Sequence, residues 1–270
     1  MVDATHRTLA DAVLQTGEPA AKIDAARRAF GAFGAAEIAL DLAAPAPPQR
    51  PARPTAPELR NPGDMPRRRL AGQAGRVALL HAVAHIEFNA IDLAFDMAAR
   101  FAGEIDAAGL DARDFVADWF AVGDDEARHF SMIADRLAAL GAAYGDLPAH
   151  DGLWRAAEDT ADAALARLAV APMVLEARGL DVTPGMIERL EAAGDVESAA
   201  ALRVIYDEEV GHVATGVRWF RTLCAARALE PQRAFEDLVR ARFAGALKPP
   251  FNVDARARAG LEPAMYERLS

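Results

Sequence analysis

Cysteine, aromatic residues and long apolar runs are scarce in this sequence of 270 residues, and each shortage excludes a class of protein. The single cysteine, Cys224, cannot form an internal disulfide, which excludes a disulfide-stapled scaffold and favours a reducing compartment. No run of about 18 apolar residues occurs, which argues against a membrane span. The N-terminal segment is amphipathic and contains acidic residues, unlike a signal peptide. We therefore expect a cytoplasmic globular protein.

Basic residues are also in deficit, because 30 Lys and Arg face 40 Asp and Glu, for a net charge of −10 and a pI near 5.1. This balance disfavours non-specific binding to nucleic acid or to an anionic membrane. One compact basic cluster occurs in MPRRRL at residues 65–70, and we interpret it as the solvated start of a helix. Alanine is abundant and β-branched runs are rare, so the composition favours helix.

The composition and apolar periodicity of the chain change twice along its length, yet we expect a single domain over residues 1–270. The first part contains two short predicted helices, broken at TGEP, and a proline-rich segment at 44–66 that cannot be helical. This segment is either a mobile linker or a strap packed along the body. The last part contains a predicted helix at about 231–244 and then a tail that includes LKPPFN. The three parts are 1–71, 72–226 and 227–270.

Apolar periodicity in the central part predicts four long helices, which favours an all-α four-helix bundle with extra N- and C-terminal helices. They lie at about 72–102, 112–141, 153–179 and 195–227. Between the last two, Thr183 can cap a helix, Pro184 suits the first helical position and Gly194 can end a helix. We therefore predict a short extra helix at 184–193. Pro172 predicts a kink or bulge in the third long helix.

Two of these helices carry Glu-x-x-His inside an apolar face. Glu126 and His129 interrupt an apolar stripe of the second helix, and Glu209 and His212 interrupt a stripe of the fourth. Residues three apart are neighbours on a helix, about 5–6 Å apart at Cβ, so both side chains of each motif can reach one point. Left unpaired in a core, each would cost several kcal/mol. The pattern therefore predicts a bound partner for these groups.

The other two long helices each carry one carboxylate on an apolar face, Glu87 in the first and Glu176 in the third. Four carboxylates and two imidazoles converging in an apolar core would repel one another without cations, and two divalent metal ions resolve this. Carboxylate and imidazole ligands suit iron or manganese. The predicted metal ligands are Glu87, Glu126, His129, Glu176, Glu209 and His212.

This ligand pattern resembles that of the ferritin-like superfamily of di-iron and di-manganese carboxylate proteins, over residues 72–226. Three stretches, HAVAHIEFNAIDLAFD, LEARGLDVTPGM and LKPPFN, are similar to a widespread bacterial family of ferritin-like proteins of unassigned function. That likeness covers nearly the whole chain. It implies a ferritin-like bundle with a proline-rich strap and two iron ions, with manganese or a mixed Mn/Fe pair as alternatives.

The resemblance also suggests groups that support the ligands. Many oxygen-activating di-iron enzymes contain the form D-E-x-R-H, in which the Asp holds a ligand histidine. Asp125 and Glu208 each directly precede a ligand glutamate, and the resemblance implies this role for them. Tyr206, one turn before Glu209, either lies near the metals or packs in the core.

Other polar residues of the bundle have structural interpretations. His81 and His85 lie on a different face of the first helix from Glu87, so we expect interhelical or surface hydrogen bonds from them and no metal ligation. We expect Arg178 and Asp181 to pair at a bundle end. Cys224 is interpreted as a core residue.

Several functions fit a dinuclear carboxylate site. The first is an oxidase or hydroxylase that uses O2 on a small organic substrate, with an electron donor that the sequence does not identify. The others are an iron-handling ferroxidase or store, a manganese catalase-like protein, and a bundle whose metals serve stability alone. A tRNA-modifying hydroxylase has a related ferritin-like core, but the acidic balance counts against an RNA partner.

We favour the oxidase or hydroxylase because long flanks surround the bundle, whereas storage ferritins are compact chains that form shells. This interpretation predicts a monomer or small homo-oligomer. It also predicts a mostly apolar pocket beside the metals, partly lined by the first and third helices and shaped by the strap and the KPPFN tail.

Overall fold

The computed structural model describes residues 4–35, 37–61, 64–65, 72–243 and 245–270. Helices dominate these residues, so the predicted all-α fold class is confirmed. The helices are α1 (His6–Leu14), α2 (Pro19–Ala35), α3 (Gly72–Ala107), α4 (Ala112–Ala139), α5 (Gly152–Asp159), α6 (Ala164–Val170), a π-helical segment (Ala171–Glu176), α7 (Ala177–Ala192), α8 (Val196–Ala226), α9 (Pro231–Arg242), α10 (Val253–Arg258), α11 (Pro263–Tyr266) and a terminal 3₁₀ turn (Glu267–Leu269).

Contacts divide the chain into two compact units. The N-terminal unit contains the described residues up to Gly103 together with Ala112–Arg155, and the C-terminal unit contains Glu104–Asp111 together with Ala156–Ser270. The first unit therefore holds α1, α2, α4 and most of α3, and the second holds α6 through α11. The expectation of one domain over residues 1–270 stays a prediction.

The described part of the proline-rich segment is a strap that packs within the N-terminal unit. The Ala52 N–H donates to the Leu14 carbonyl at 2.7 Å, and the Trp154 Nε1–H donates to the Gln49 carbonyl at 3.0 Å. The strap also contains a two-residue strand, β1 (Leu59–Arg60), which pairs in parallel with β2 (Ala149–His150). Of the two alternatives for this segment, the packed strap is therefore correct. Residues 66–70 of the basic cluster lie outside the described residues.

A buried charge network fastens the strap and α2 to α3. Arg53 of the strap donates from Nη1 to Asp92 Oδ2 at 2.5 Å and from Nη2 to Asn89 Oδ1 at 2.7 Å. Lys22 of α2 donates to the other oxygen of Asp92, and both side chains are fully buried. A buried charge is tolerated only when it is paired and hydrogen-bonded. This network therefore fixes the position of α3, which carries Glu87.

The prediction of an unbroken helix at 153–179 is wrong, because the chain leaves the helix between α5 and α6. Thr160 donates from Oγ1 to the Ala156 carbonyl at 2.7 Å and accepts from Arg167 Nε at 2.9 Å, so its hydroxyl stabilises the break. The new helix then starts with its first N–H held by a carboxylate, since Ala164 N–H donates to Glu104 Oε2 at 2.9 Å. A carboxylate at this end also complements the helix dipole.

The predicted separate helix at 184–193 is also wrong, since α7 continues through Pro184. Proline lacks the N–H that would bond the carbonyl four residues earlier, which is the carbonyl of Leu180. Asn252 of the tail supplies the missing donor, because its Nδ2 donates to that carbonyl at 3.1 Å. The helix ends as predicted at Gly194, whose φ of +75° suits glycine. Asp195 then caps α8 by accepting from the Ser198 N–H at 3.1 Å.

One helix in the described part of the chain, α3, is long and apolar enough to pass a simple test for a membrane span. Its most apolar window of 18 residues has a mean hydropathy of 1.3, but 78% of that window is buried inside the protein. A core helix passes the same test, so this feature is weak evidence for a membrane.

Candidate metal centre

The N-terminal unit brings together three of the six predicted ligands. Glu87 lies on α3, while Glu126 and His129 lie one turn apart on α4. His129 Nδ1 is 3.2 Å from Glu126 Oε2 and 3.6 Å from Glu87 Oε2. Glu126 and His129 are fully buried and Glu87 is 4% exposed. We refer to these three residues as the N-terminal half-site.

The electrostatics of this half-site attract positive charge. Burial lowers the pKa of His129, but its hydrogen bonds and charge interactions with Glu126 and Glu87 outweigh burial and raise that pKa to about 11. Without a metal, the imidazole therefore holds a proton between two carboxylates. A metal ion must displace that proton in order to bind the ring nitrogen.

Close packing of α4 against α3 fixes the half-site one turn away. A Cβ added at Gly123 would lie 2.5 Å from Cε2 of Phe95, so the aromatic ring fills the space that any side chain would need. Gly123 precedes Glu126 by three residues and shares its helix face. A glycine inside an apolar stripe is the sequence signal for such a contact.

The C-terminal unit holds the other three predicted ligands, which we call the C-terminal half-site. Glu209 and His212 lie on α8, with His212 Nδ1 3.7 Å from Glu209 Oε1. The Glu209 side chain is 13% exposed and that of His212 is 4% exposed. Glu176 is the last residue of the π-helical segment.

The π-helical segment confirms the predicted irregularity at Pro172. The Ala177 N–H donates to the Pro172 carbonyl five residues earlier, which defines a π turn. Such single-turn bulges redirect side chains and are frequent at functional sites. Glu176 is the last residue of this bulge and follows Pro172 by four residues.

Gly216 of α8 packs directly against the ring of Pro172. A Cβ added at Gly216 would lie 2.4 Å from both Cβ and Cγ of Pro172, so only glycine fits opposite the bulge. Gly216 follows His212 by four residues, just as Glu176 follows Pro172. The close contact between the two helices therefore lies about one turn from the ligand residues of each.

The paired Glu and His residues are a group that could hold a metal ion. Within each pair the candidate ligand atoms, one per residue, lie within 4.8 Å of each other. Buried carboxylates and imidazoles are also the donor set that iron and manganese accept. Metal ligation by all six residues stays a prediction. The paired residues are Glu126, His129, Glu209 and His212.

The predicted supporting residues have other contacts within their own units. Asp125 Oδ1 accepts from Arg128 Nη2 at 2.7 Å. The Tyr206 hydroxyl accepts from Asn252 Nδ2 at 2.9 Å, which ties it to the tail. The roles of Asp125 and Glu208 beside the histidines, and of Tyr206 near the metals, stay predictions.

His81 and His85 make hydrogen bonds, as predicted, although both are buried and neither lies at the surface. His81 Nε2 accepts from the Gly145 N–H at 2.9 Å. His85 Nδ1 lies 2.9 Å from the Tyr144 hydroxyl, and its Nε2 lies 3.1 Å from the His150 carbonyl. Burial lowers the pKa of His85 to about 4, so this ring is neutral.

Two further expectations are confirmed. Arg178 Nη1 lies 3.4 Å from Asp181 Oδ2. Cys224 is buried, and burial raises the pKa of its thiol to about 11, so it is an inert core residue. Asn252 and Arg256 hold the tail on α7, and no sequence signal predicts this role because their partners lie more than 70 residues away.

Comparison with known proteins places the chain in a family. Residues 15–267 match the family described as "Protein of unknown function (DUF455)". The chain belongs to this family. It is also 41% identical over 204 residues to an uncharacterized protein of Haemophilus influenzae. The matched region covers 76% of this chain and 71% of that protein. No solved structure matches the chain. The description of this family names no activity.

Proposed function

We propose that this member of the DUF455 family is a ferritin-like di-iron carboxylate protein that uses O2 to oxidise or hydroxylate a small organic substrate. The observation that carries the proposal is a repeated set of residues. Each unit contributes one lone glutamate and one Glu-x-x-His motif, on helix faces that are otherwise apolar. The proposal joins the two half-sites into one dinuclear centre.

Charge compensation supports metal binding by these residues. In the N-terminal half-site, Glu87 and Glu126 raise the pKa of His129 to about 11 despite its burial. A site that holds one proton so firmly stabilises a cation at the same position, and two divalent ions compensate the four carboxylates of the combined set. Buried charges without such compensation cost several kcal/mol each.

The protein residues have distinct roles in this proposal. The glutamates and histidines would hold the ions, and Glu176 would do so from the end of the π bulge at Pro172. Bound iron(II) would supply the electrons and the Lewis acidity for reduction of O2. The apolar faces around the ligands would exclude water and keep the oxidising chemistry away from the solvent.

The test loads the metal-free protein with Fe(II), adds O2, and counts the iron oxidised per chain. We expect oxidation to stop when two irons per chain have reacted. Continued uptake to many irons per chain would support an iron store and contradict the proposal. Rapid dismutation of peroxide by a manganese-loaded form, without reaction of the iron form, would favour a catalase-like protein instead.

A further inference from the structure

A cavity of about 310 Å³ lies in the C-terminal unit beside the π-helical segment. Its walls are formed by residues of that segment and of the tail, including Val174, Leu175, Phe243, Leu247 and Phe251. The tail therefore forms part of the wall of this cavity, and the predicted pocket beside the metals stays a prediction. The volume is near the lower end of those for small-molecule sites.

The charged residues that line this cavity are all cations, namely Arg178, Lys248 and Arg256. None of the described lining residues is acidic. This sign is opposite to that of the whole chain, whose net charge is −10. The cavity therefore combines an apolar wall with a local excess of positive charge.

The structure holds the two guanidinium groups in place. Arg256 is 2% exposed and donates from Nε and Nη2 to Asp181 at 2.8 and 2.7 Å. Its guanidinium lies 4.9 Å from the centre of the Phe251 ring. Arg178 Nη1 donates to the Lys248 carbonyl at 2.6 Å, which fixes the tail against α7. Such fixed guanidinium groups bind carboxylates well, because little side-chain freedom is lost.

The cavity is close in sequence to the candidate site, since Glu176 directly follows the lining residue Leu175. We propose that the cavity binds a small aromatic carboxylate. This inference rests on the proposed function, in which such a molecule is the class of substrate that is oxidised. Phe243 and Phe251 would contact the aromatic body. Arg178, Lys248 and Arg256 would attract and hold the carboxylate.

The test is a fluorescence titration of the full-length protein with 2-naphthoate and with 2-naphthamide, which has the same shape without the charge. Because hydrogen bonds to charged groups are the stronger ones, we expect naphthoate to bind roughly tenfold tighter or more. Lys248→Gln should weaken naphthoate binding by about two- to fivefold, the range for an exposed charge. Ala246→Trp, which fills the cavity, should abolish binding of both ligands.

The matched control is Arg233→Gln, because Arg233 is exposed on α9 and does not line the cavity. This variant should bind naphthoate like the wild type. Equal binding of the two ligands, no detectable naphthoate binding, or binding that survives Ala246→Trp would overturn the inference.

The titration is run on metal-free and on metal-loaded protein, so that the two proposals can fail separately. Naphthoate binding by a protein that holds no metal would leave the cavity inference intact as a binding site and refute the di-iron function. Two bound metals without naphthoate binding would refute the cavity inference and leave the metal centre intact.

Discussion

Gly216→Ala is the substitution that most directly tests how the C-terminal half-site is positioned. The new Cβ would lie 2.4 Å from two atoms of the Pro172 ring. A proline ring cannot rotate away, so α8 and the π-helical segment must move apart. Overpacking of this kind typically costs about 1–3 kcal/mol. Since Glu176 and His212 each lie one turn from the contact, we expect metal affinity to fall together with stability.

The matched control is Gly211→Ala on the same helix, where an added Cβ meets nothing within 4 Å. Both variants gain about 1 kcal/mol of helix propensity, so the difference between them isolates the contact with Pro172. We expect Gly216→Ala to unfold at a Tm lower than that of Gly211→Ala, by roughly 2–4 °C for each kcal/mol of overpacking.

Thermal unfolding of the metal-free proteins measures the first effect, and titration with Fe(II) under anaerobic conditions measures the second. If Gly216→Ala matches Gly211→Ala in both Tm and metal affinity, the contact with Pro172 does not set the geometry of the half-site. Loss of stability with unchanged metal affinity would show that the contact serves packing alone.

Three further substitutions, one of them with a matched control, test other parts of the structure by urea unfolding. Asp92→Asn leaves the buried charge of Lys22 poorly compensated and should destabilise the protein by about 3–5 kcal/mol. Asp162→Asn, in an exposed ion pair, should cost less than about 1 kcal/mol. Equal losses of stability in the two variants would refute the role of the buried charge network around Asp92. Asn252→Ala should cost about 1–3 kcal/mol, because it removes the donor to the carbonyl that Pro184 leaves free; a change within error would mean that this carbonyl finds another donor. The folded-state pKa of His85 is about 4 against an ordinary 6.5, so the unfolded chain binds the proton first as pH falls. Its contribution to stability is complete above pH 6.5, and about 2 kcal/mol of it should be lost between pH 7 and pH 5. His85→Gln should remove that part of the pH dependence, and an unchanged slope would contradict the assignment.

The sequence predicts well those features that depend on neighbouring residues. Apolar periodicity places the long helices α3, α4 and α8, apart from their ends, and Pro172 marks the π bulge by its missing N–H. The spacing of Glu-x-x-His places each Glu and His on one helix face. These are local properties, and no tertiary contact is needed to infer them.

The features that the sequence does not predict depend on distant partners. The break before α6 is stabilised by Glu104, and the continuation of α7 through Pro184 is stabilised by Asn252. Similarly, Gly216 can be seen as a gap in an apolar stripe, but only the structure shows that Pro172 fills it. The packing of the strap also depends on a distant pair, Arg53 and Asp92, so the sequence leaves it undecided.

The metal content of the purified protein tests the central claim most directly. Wild-type protein, prepared without added metal and analysed by inductively coupled plasma mass spectrometry, should contain iron or manganese and bind two ions per chain after loading. Glu126→Ala and Glu209→Ala should each bind well below that ratio, whereas His81→Asn, which alters a buried histidine outside the half-sites, should keep it. A wild-type chain that binds no metal, or glutamate variants that still hold two ions while remaining folded by circular dichroism, would contradict the account.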